Sequence, residues 1–145
     1  KHLHCQTLFD DCMVCVARIG HPVVNPDLTL EQYIGLPHIL LSRTGAGSGQ
    51  VDSWLVERGL ERRVALTVSH FLSAPLIVAQ TDLVMAYPKR TAEQLAQNQP
   101  LQWVPLPLDL PDYATVMVWH PLQDQEPANV WLRSEIRAAC AELGA

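Results

Sequence analysis

No apolar run in this 145-residue chain is long enough to cross a lipid bilayer, and no apolar segment of the kind that directs secretion stands at its start. A transmembrane helix needs about 20 mainly apolar residues, and a secretory leader needs an apolar stretch after a basic start. Charge is also limited, since charged residues make up 17% of the chain and hydrophobic residues 48%, as in ordinary globular domains. We therefore expect a cytoplasmic globular protein that does not contact a membrane.

Basic residues are scarce. Ten lysines and arginines are outnumbered by fifteen aspartates and glutamates, which gives a net charge of -5. A surface that binds nucleic acid carries a basic cluster that neutralises phosphates, and the main local concentration here is Arg58, Arg62 and Arg63. If the protein acts on DNA, the part that contacts DNA must lie elsewhere.

The four cysteines do not form a motif that indicates a disulfide framework or a metal site. Cys12 and Cys15 have C-x-x-C spacing inside an apolar run, but residues three apart on a strand point to opposite faces. Buried small hydrophobic residues are therefore favoured over redox or metal chemistry. His2, His4 and Cys5 can form a terminal metal cluster, although disordered or strand-edge residues are the favoured interpretation. The sequence predicts no metal and no cofactor.

Catalytic motifs are missing as well. Ser42, Ser48 and Ser69 have histidines available, but no G-x-S-x-G elbow exists and no carboxylate is evidently placed to orient a base. The glycine-rich segment 44–49 lacks the lysine of a phosphate-binding loop and the spacing of a dinucleotide-binding loop. Free N–H groups at the helix start that follows can hold a carboxylate, and loop flexibility explains the glycines equally well. The sequence predicts no catalytic residues and therefore no enzyme.

The apolar pattern predicts strands that alternate with helices on short links, which is typical of βαβ units and of a largely parallel sheet in an α/β fold. Residues 12–17 form a continuous apolar run, as in a strand buried on both faces. The capping residues Thr29 and Thr91 begin two of the helices. Predicted strands lie within 7–17 and at 38–42, 63–68, 83–87, 101–108 and 115–119, and predicted helices lie at 30–36, 51–58, 71–80, 91–99 and 129–143.

The run 83–88 ends at Pro88, so the strand's carboxyl end is predicted to point at a new loop. In open α/β sheets, ligands bind at such ends. His38 and His70 also lie at predicted strand boundaries, and a histidine offers a donor that can be charged near neutral pH, which suits an anionic or phenolic ligand. From the residues alone, a core or surface histidine satisfied by the backbone is the favoured interpretation of each. Phe71 can stack on an aromatic ligand or serve packing alone.

Three stretches, at 8–22, at 68–88, and at 118–121 followed by 127–133, together resemble the carboxyl-terminal effector-binding domain of LysR-type transcriptional regulators. The likeness is greatest to the branch of the nodulation regulators and the regulators of naphthalene and nitrotoluene breakdown. It implies a two-lobed α/β fold like that of type 2 periplasmic binding proteins. Residues 1–18 would belong to the first lobe, 19–108 would form the second lobe, and 109–145 would return a strand and a helix to the first.

The resemblance also implies a function. The family binds a small inducer and shifts the arrangement of a DNA-bound oligomer, so it implies a small aromatic or carboxylate effector and a homo-oligomer. The winged helix-turn-helix of the family matches nothing in this chain, so DNA contact would belong to a further domain. Positions that match His38 and His70 contact the inducer in the aromatic-acid branch, and Phe71 and Ser42 are weaker candidates for the same role.

Two other functions are compatible with the residues. A solute-binding protein of the same fold would serve a transporter, and a secretory leader on the full gene product would favour it. An α/β enzyme with an unrecognised site would show turnover that is lost when a histidine is replaced. The regulator domain is the favoured interpretation.

Overall fold

The structure is a computed structural model that describes residues 3–42 and 49–143. Among these residues, no helix is both long and apolar enough to span a membrane. The chain divides into two compact units: unit 1 comprises Lys1–Asp11 and Asp112–Ala145, and unit 2 comprises Cys12–Pro111. These boundaries differ from the predicted ones at 18/19 and 108/109.

The first predicted strand, within 7–17, consists of two strands. Strand β1 (His4–Asp11) pairs with β7 (Tyr113–Trp119) in unit 1, and β2 (Met13–Arg18) belongs to the sheet of unit 2. The chain therefore changes partners at Cys12. Apolar alternation along a strand does not reveal which strand it pairs with, so the sequence did not show this break.

Unit 2 is built on a five-stranded sheet in the order β4-β3-β5-β2-β6. Strand β3 runs parallel to β4 and β5, whereas β2 runs antiparallel to β5 and β6. Two of the four pairings are thus parallel, as predicted, and the two pairings of β2 are antiparallel. The remaining strands are β3 (Pro37–Leu41), β4 (Arg63–Val68), β5 (Val84–Pro88) and β6 (Leu101–Pro105).

Helices cover both faces of this sheet. One apolar cluster contains Cys15 and Ala17 of β2 with residues of α1 (Leu30–Gly35) and α2 (Gln50–Val56). The other contains Val14 and Val16 with residues of α3 (Ala74–Val78) and α4 (Lys89–Ala96). Neighbouring residues of β2 therefore enter opposite cores, which confirms the prediction that residues 12–17 include a strand buried on both faces.

Capping residues and prolines in the sequence predicted some helix ends correctly and others incorrectly. Thr29 and Gln32 form the predicted capping box of α1. Helix α4 begins at Lys89, immediately after β5, so the predicted cap at Thr91 and the predicted loop after Pro88 were wrong. The Lys89 N–H donates to the Cys12 carbonyl at 2.9 Å, and this contact lets the helix begin without a side-chain cap. Helix α3 is shorter than predicted and has Pro75 in its first turn.

Unit 1 contains the β1–β7 pair, a 3-10 turn at Pro121–Gln123 and helix α5 (Pro127–Leu143). The Trp119 indole N–H donates to Asp124 Oδ1 at 2.8 Å, and Arg133 Nη2 donates to the Asp124 carbonyl at 2.6 Å. The Arg133 guanidinium also lies 4.7 Å from the centre of the Trp119 ring. These contacts tie the end of β7 to helix α5.

Candidate functional site

The carboxyl ends of β3 and β4 lie side by side and present the candidate site. Ser42 follows β3, and its N–H donates to the carbonyl of Val68, the last residue of β4, at 3.0 Å. Phe71 follows β4 three residues later. Ligands bind at such ends in α/β sheets because the loops there are free to vary.

Two adjoining pockets open at these strand ends. One has a volume of about 250 Å³ and is lined by Leu41, Ser42, Ser69 and Phe71. The other has a volume of about 200 Å³ and shares Leu41 and Phe71 with the first. Its lining among the described residues is Met13, Leu40, Leu41, Gly49, Gln50, Val51, Arg62, Phe71, Ala86 and Pro88. Mostly apolar walls with a few polar groups are typical of small-molecule sites.

Phe71 forms a firmly held aromatic wall of both pockets. Its ring stacks on Tyr87, with the ring centres 4.4 Å apart and the planes 21° apart. The Tyr87 hydroxyl donates to the Phe71 carbonyl at 3.0 Å, and burial raises the pKa of Tyr87 to about 12, so this donor keeps its proton. Phe71 nevertheless remains 44% exposed. A half-exposed ring that is held on one face by Tyr87 can stack on an aromatic ligand with its exposed part.

His70 is exposed and directly precedes Phe71. Its carbonyl accepts hydrogen bonds from the Ser73 N–H at 3.2 Å and from the Ser73 hydroxyl at 2.9 Å. These bonds shape the turn into α3. The imidazole is not among the groups that line the two pockets described above, so its role in contacting an effector stays a prediction.

His38 lies in the core and has no exposed surface. Its Nε2 is 2.8 Å from the Tyr33 carbonyl and therefore carries the proton, which leaves Nδ1 to face Arg62 Nη1 at 3.5 Å. Burial lowers the pKa of His38 to about 4, so the ring is neutral at physiological pH. The prediction that His38 contacts an effector directly stays untested, and in this structure the enclosed ring supports Arg62 instead.

Arg62 and Asp52 form a buried two-point ion pair beside His38. Arg62 Nε donates to Asp52 Oδ1 at 2.7 Å, and Nη2 donates to Oδ2 at 3.0 Å. The exposed fractions of the two side chains are 4% and 17%. Burial opposes both charges, but the hydrogen bonds between the partners keep the pKa of Asp52 below its usual range and that of Arg62 above it. The pair therefore stays ionised.

Sequence reasoning did not assign Arg62 or Asp52 to the site. The ten-residue separation of the pair falls outside any helical or strand repeat, so no periodicity links the two. One sequence feature could have drawn attention to Asp52: it lies three residues after Gly49, which is the spacing of a capping pattern at the start of α2. The Gly49 N–H indeed donates to Asp52 Oδ2 at 2.8 Å. At Gly49, the N–H predicted to be available for a ligand carboxylate is thus taken by the chain's own carboxylate, and residues 44–48 lie outside the described residues.

Metal chemistry gains no support from the part of the chain that the structure describes. No group of three or more His, Cys, Asp or Glu side chains there is arranged to hold a metal ion. Cys15 is buried, Cys12 is half-buried, and neither forms a disulfide bond within the described residues. Burial raises the pKa of the Cys15 thiol to about 12, so it behaves as a small apolar residue. The terminal cluster considered above includes His2, which lies outside the described residues.

Comparison with known proteins places this chain in a family. Residues 1–141 match the profile of the LysR substrate binding domain. The chain is 35% identical over 126 residues to the HTH-type transcriptional activator NahR of Pseudomonas putida, and it is 31% identical over 128 residues to Nodulation protein D 1 of Bradyrhizobium diazoefficiens. These matches cover 87% and 88% of this chain but 42% and 41% of the relatives, so the chain spans less than half of their length.

A solved structure agrees with the sequence matches. The regulatory domain of MexT, a transcriptional activator in Pseudomonas aeruginosa, superposes with a TM-score of 0.78 at 30% identity. The match covers 94% of this chain and 65% of that one. The predicted α/β fold of the type 2 periplasmic-binding-protein kind is thereby confirmed, as is the resemblance to the nodulation and naphthalene regulators. The chain belongs to the LysR substrate-binding domain family.

Proposed function

We propose that this chain is the effector-binding part of a DNA-binding transcriptional regulator, and that its effector is a small aromatic or carboxylate compound. The observation that carries the proposal is the pair of pockets at the carboxyl ends of β3 and β4, where apolar walls meet the Ser42 and Ser69 hydroxyls and the Phe71 ring. Such a lining suits a flat apolar ligand with one or two polar groups. Relatives named as transcriptional regulators support the same function.

The four predicted contact residues take different parts in this proposal. Phe71 stacks on the effector and Ser42 offers a hydroxyl, since both line a pocket. His70 contacts the effector from the exposed end of β4. His38 supports the pocket indirectly, because its buried ring faces Arg62, which lines the pocket. No residue is assigned a catalytic role, which is consistent with relatives named as regulators and not as enzymes.

The domain assignment and the partners are parts of the same proposal. Unit 2 corresponds to the second lobe and unit 1 to part of the first, and a separate amino-terminal domain contacts DNA in the cytoplasm. Both strands of the two-stranded sheet in unit 1 are edge strands within the described residues, and such edges favour pairing between chains. We therefore include a homo-oligomer, which light scattering of the full-length protein tests.

Signal transfer in this proposal requires no chemical step. An effector that binds one conformation more tightly than another shifts the population toward the first, by no more than the difference in affinity. Regulation would follow from that shift in the DNA-bound protein.

Calorimetry on the purified full-length protein tests the site with salicylate, benzoate and the flavonoid naringenin. We expect at least one compound to bind, and we expect Phe71→Ala to weaken its binding by about tenfold, which corresponds to about 1.4 kcal/mol. Leu72→Ala is the matched control, because Leu72 is 68% exposed and lines neither pocket. His70→Ala tests the predicted histidine contact in the same assay.

Two results would count against the proposal. Binding that is equally affected by Phe71→Ala and Leu72→Ala would move the effector away from these pockets. Turnover of a candidate ligand by the purified protein would show that the protein is an enzyme and not only a regulator.

A further inference from the structure

The wall of the smaller pocket contains one feature that the effector proposal does not use. Arg62 is the charged side chain among the described lining residues, and most of the others are apolar. Its side chain is 4% exposed. A charge this deeply buried is costly unless hydrogen bonds satisfy it, so its partners decide what it can still bind.

The guanidinium is held from two sides. Asp52 accepts from Nε and Nη2, and Asp52 is itself fixed by the Gly49 N–H. His38 Nδ1 faces Nη1, while His38 Nε2 is anchored on the Tyr33 carbonyl. These partners fix the orientation of the planar group relative to the pocket wall, which is the kind of support a recognition site needs.

These contacts do not use all the donors. A guanidinium has five N–H groups, and the contacts to Asp52 and His38 use three, which leaves two. The buried Tyr33 hydroxyl competes for these donors, because its interactions with Arg62 include a side-chain hydrogen bond. If it occupies one of the two N–H groups, one is left for a ligand.

We propose that Arg62 is a specificity-determining residue of the pocket, whose remaining N–H capacity binds a carboxylate of the effector and so selects acids over neutral analogues. This inference rests on the proposed function, since it assumes that the pocket holds an effector. A guanidinium donates from directions fixed by its plane, a geometry that the ammonium group of lysine does not reproduce. Asp52 competes for the same cation, so it limits the affinity for the acid.

The experiment compares salicylate with salicylamide, which differ in the charge of one group. Calorimetry on the full-length protein should show salicylate binding at least tenfold more tightly than salicylamide. Arg62→Lys should reduce this ratio at least fivefold. Asp52→Asn should raise the affinity for salicylate several-fold and leave that for salicylamide unchanged, because it removes the competing carboxylate.

Arg58→Lys is the matched control, since Arg58 lies in the same stretch but packs over Trp54 and lines neither pocket. It should leave both affinities unchanged. If Arg62→Lys does not fold, the joint replacement of Arg62→Met with Asp52→Leu provides the comparison, because it leaves no unpaired buried charge.

The outcomes separate this inference from the proposed function. Equal weakening of both ligands by Arg62→Lys indicates a purely structural role and overturns the inference. Equal affinity of the unaltered protein for the two ligands, or binding of naringenin alone, also overturns it while the effector site stands. Absence of binding by every compound overturns both.

Discussion

The two units of this protein differ sharply in how much they bury. Every apolar side chain that counts as buried among residues 3–42 and 49–143 lies in unit 2. In unit 1, large apolar side chains are exposed to solvent: Val118 is 50%, Trp131 63% and Leu122 88% exposed. Two strands and one helix cannot enclose a core, whereas a sheet covered by helices on both faces encloses two.

This difference concerns how firmly the side chains of each unit are held. A binding site needs walls whose side chains are locked by packing and by hydrogen bonds behind them. Unit 2 provides this support, since Phe71 is stacked on Tyr87 and Arg62 is fixed by Asp52. In unit 1, the network of Trp119, Asp124 and Arg133 links elements at the surface. The following predictions test the contrast, beginning with the largest expected effect.

The same substitution at two arginines gives the largest contrast. Arg62→Met in unit 2 should lower the free energy of unfolding by about 3–5 kcal/mol, because it leaves the largely enclosed Asp52 carboxylate without its cation. Arg133→Met in unit 1 removes one exposed and one part-buried hydrogen bond to carbonyl groups and a cation–π contact, and it should cost about 1 kcal/mol. Urea denaturation measures both, and equal losses would contradict the contrast.

Two isoleucines compare the cores directly. Ile39 of β3 is 2% exposed, so Ile39→Ala should cost about 3 kcal/mol through lost burial and a cavity. Ile136 of α5 is half-buried, and Ile136→Ala should cost about 1 kcal/mol. Chemical denaturation of the two variants checks the difference. A larger loss at Ile136 would show that unit 1 has a core in solution.

The buried histidine makes the stability of unit 2 depend on pH. Burial lowers the pKa of His38 from 6.5 to about 4, so the unfolded chain binds the proton more readily. Stability contributed by neutral His38 is present above pH 6.5 and is lost as the pH falls toward 4, by about 2–3 kcal/mol. His38→Gln should abolish this part of the pH dependence of unfolding.

Tyr33→Phe is the control for that measurement. It keeps His38 and the Tyr33 carbonyl that binds Nε2, so the dependence between pH 6.5 and 4 should persist. An unaltered slope in His38→Gln would mean that another group produces it.

The smallest contrast concerns two hydroxyls. Thr29 caps helix α1 in unit 2, and Thr29→Ala should cost about 1 kcal/mol. Ser134 in unit 1 donates to the Trp131 carbonyl at 2.6 Å within helix α5, where alanine is the better helix former. Ser134→Ala should therefore change the unfolding free energy by less than about 0.5 kcal/mol. Thermal denaturation monitored by circular dichroism resolves the two cases.

The sequence pattern predicted most of the elements because it depends on local spacing. Strand β4 has the predicted bounds, and the capping box at Thr29 is present. The second predicted cap, at Thr91, failed because α4 begins at Lys89, whose N–H bonds to Cys12 of a distant segment. A single sequence does not contain such a long-range partner, and it therefore misplaces helix ends of this kind.

The candidate site was predicted in part for the same reason. Ser42 and Phe71 lie on the pocket wall at the ends of strands that the sequence located. His38 also lies at the predicted strand, but its side chain points into the core, where Tyr33 and Arg62 bind its two nitrogens. Which face of a strand is enclosed depends on the helices packed against it, and these come from other parts of the chain.

The sequence by itself determined the α/β alternation and the strand ends at which a ligand is expected, because hydrophobic period and turn residues act over a few neighbours. The resemblance of three of its stretches to known regulators indicated the family. Only the tertiary structure decided that β1 and β2 join different sheets and that Arg62 meets Asp52 beneath the pocket. Both features depend on contacts between segments that are far apart in the chain. The strand pairing depends on the helices that cover the sheet, and the ion pair forms because a buried charge without a partner is costly.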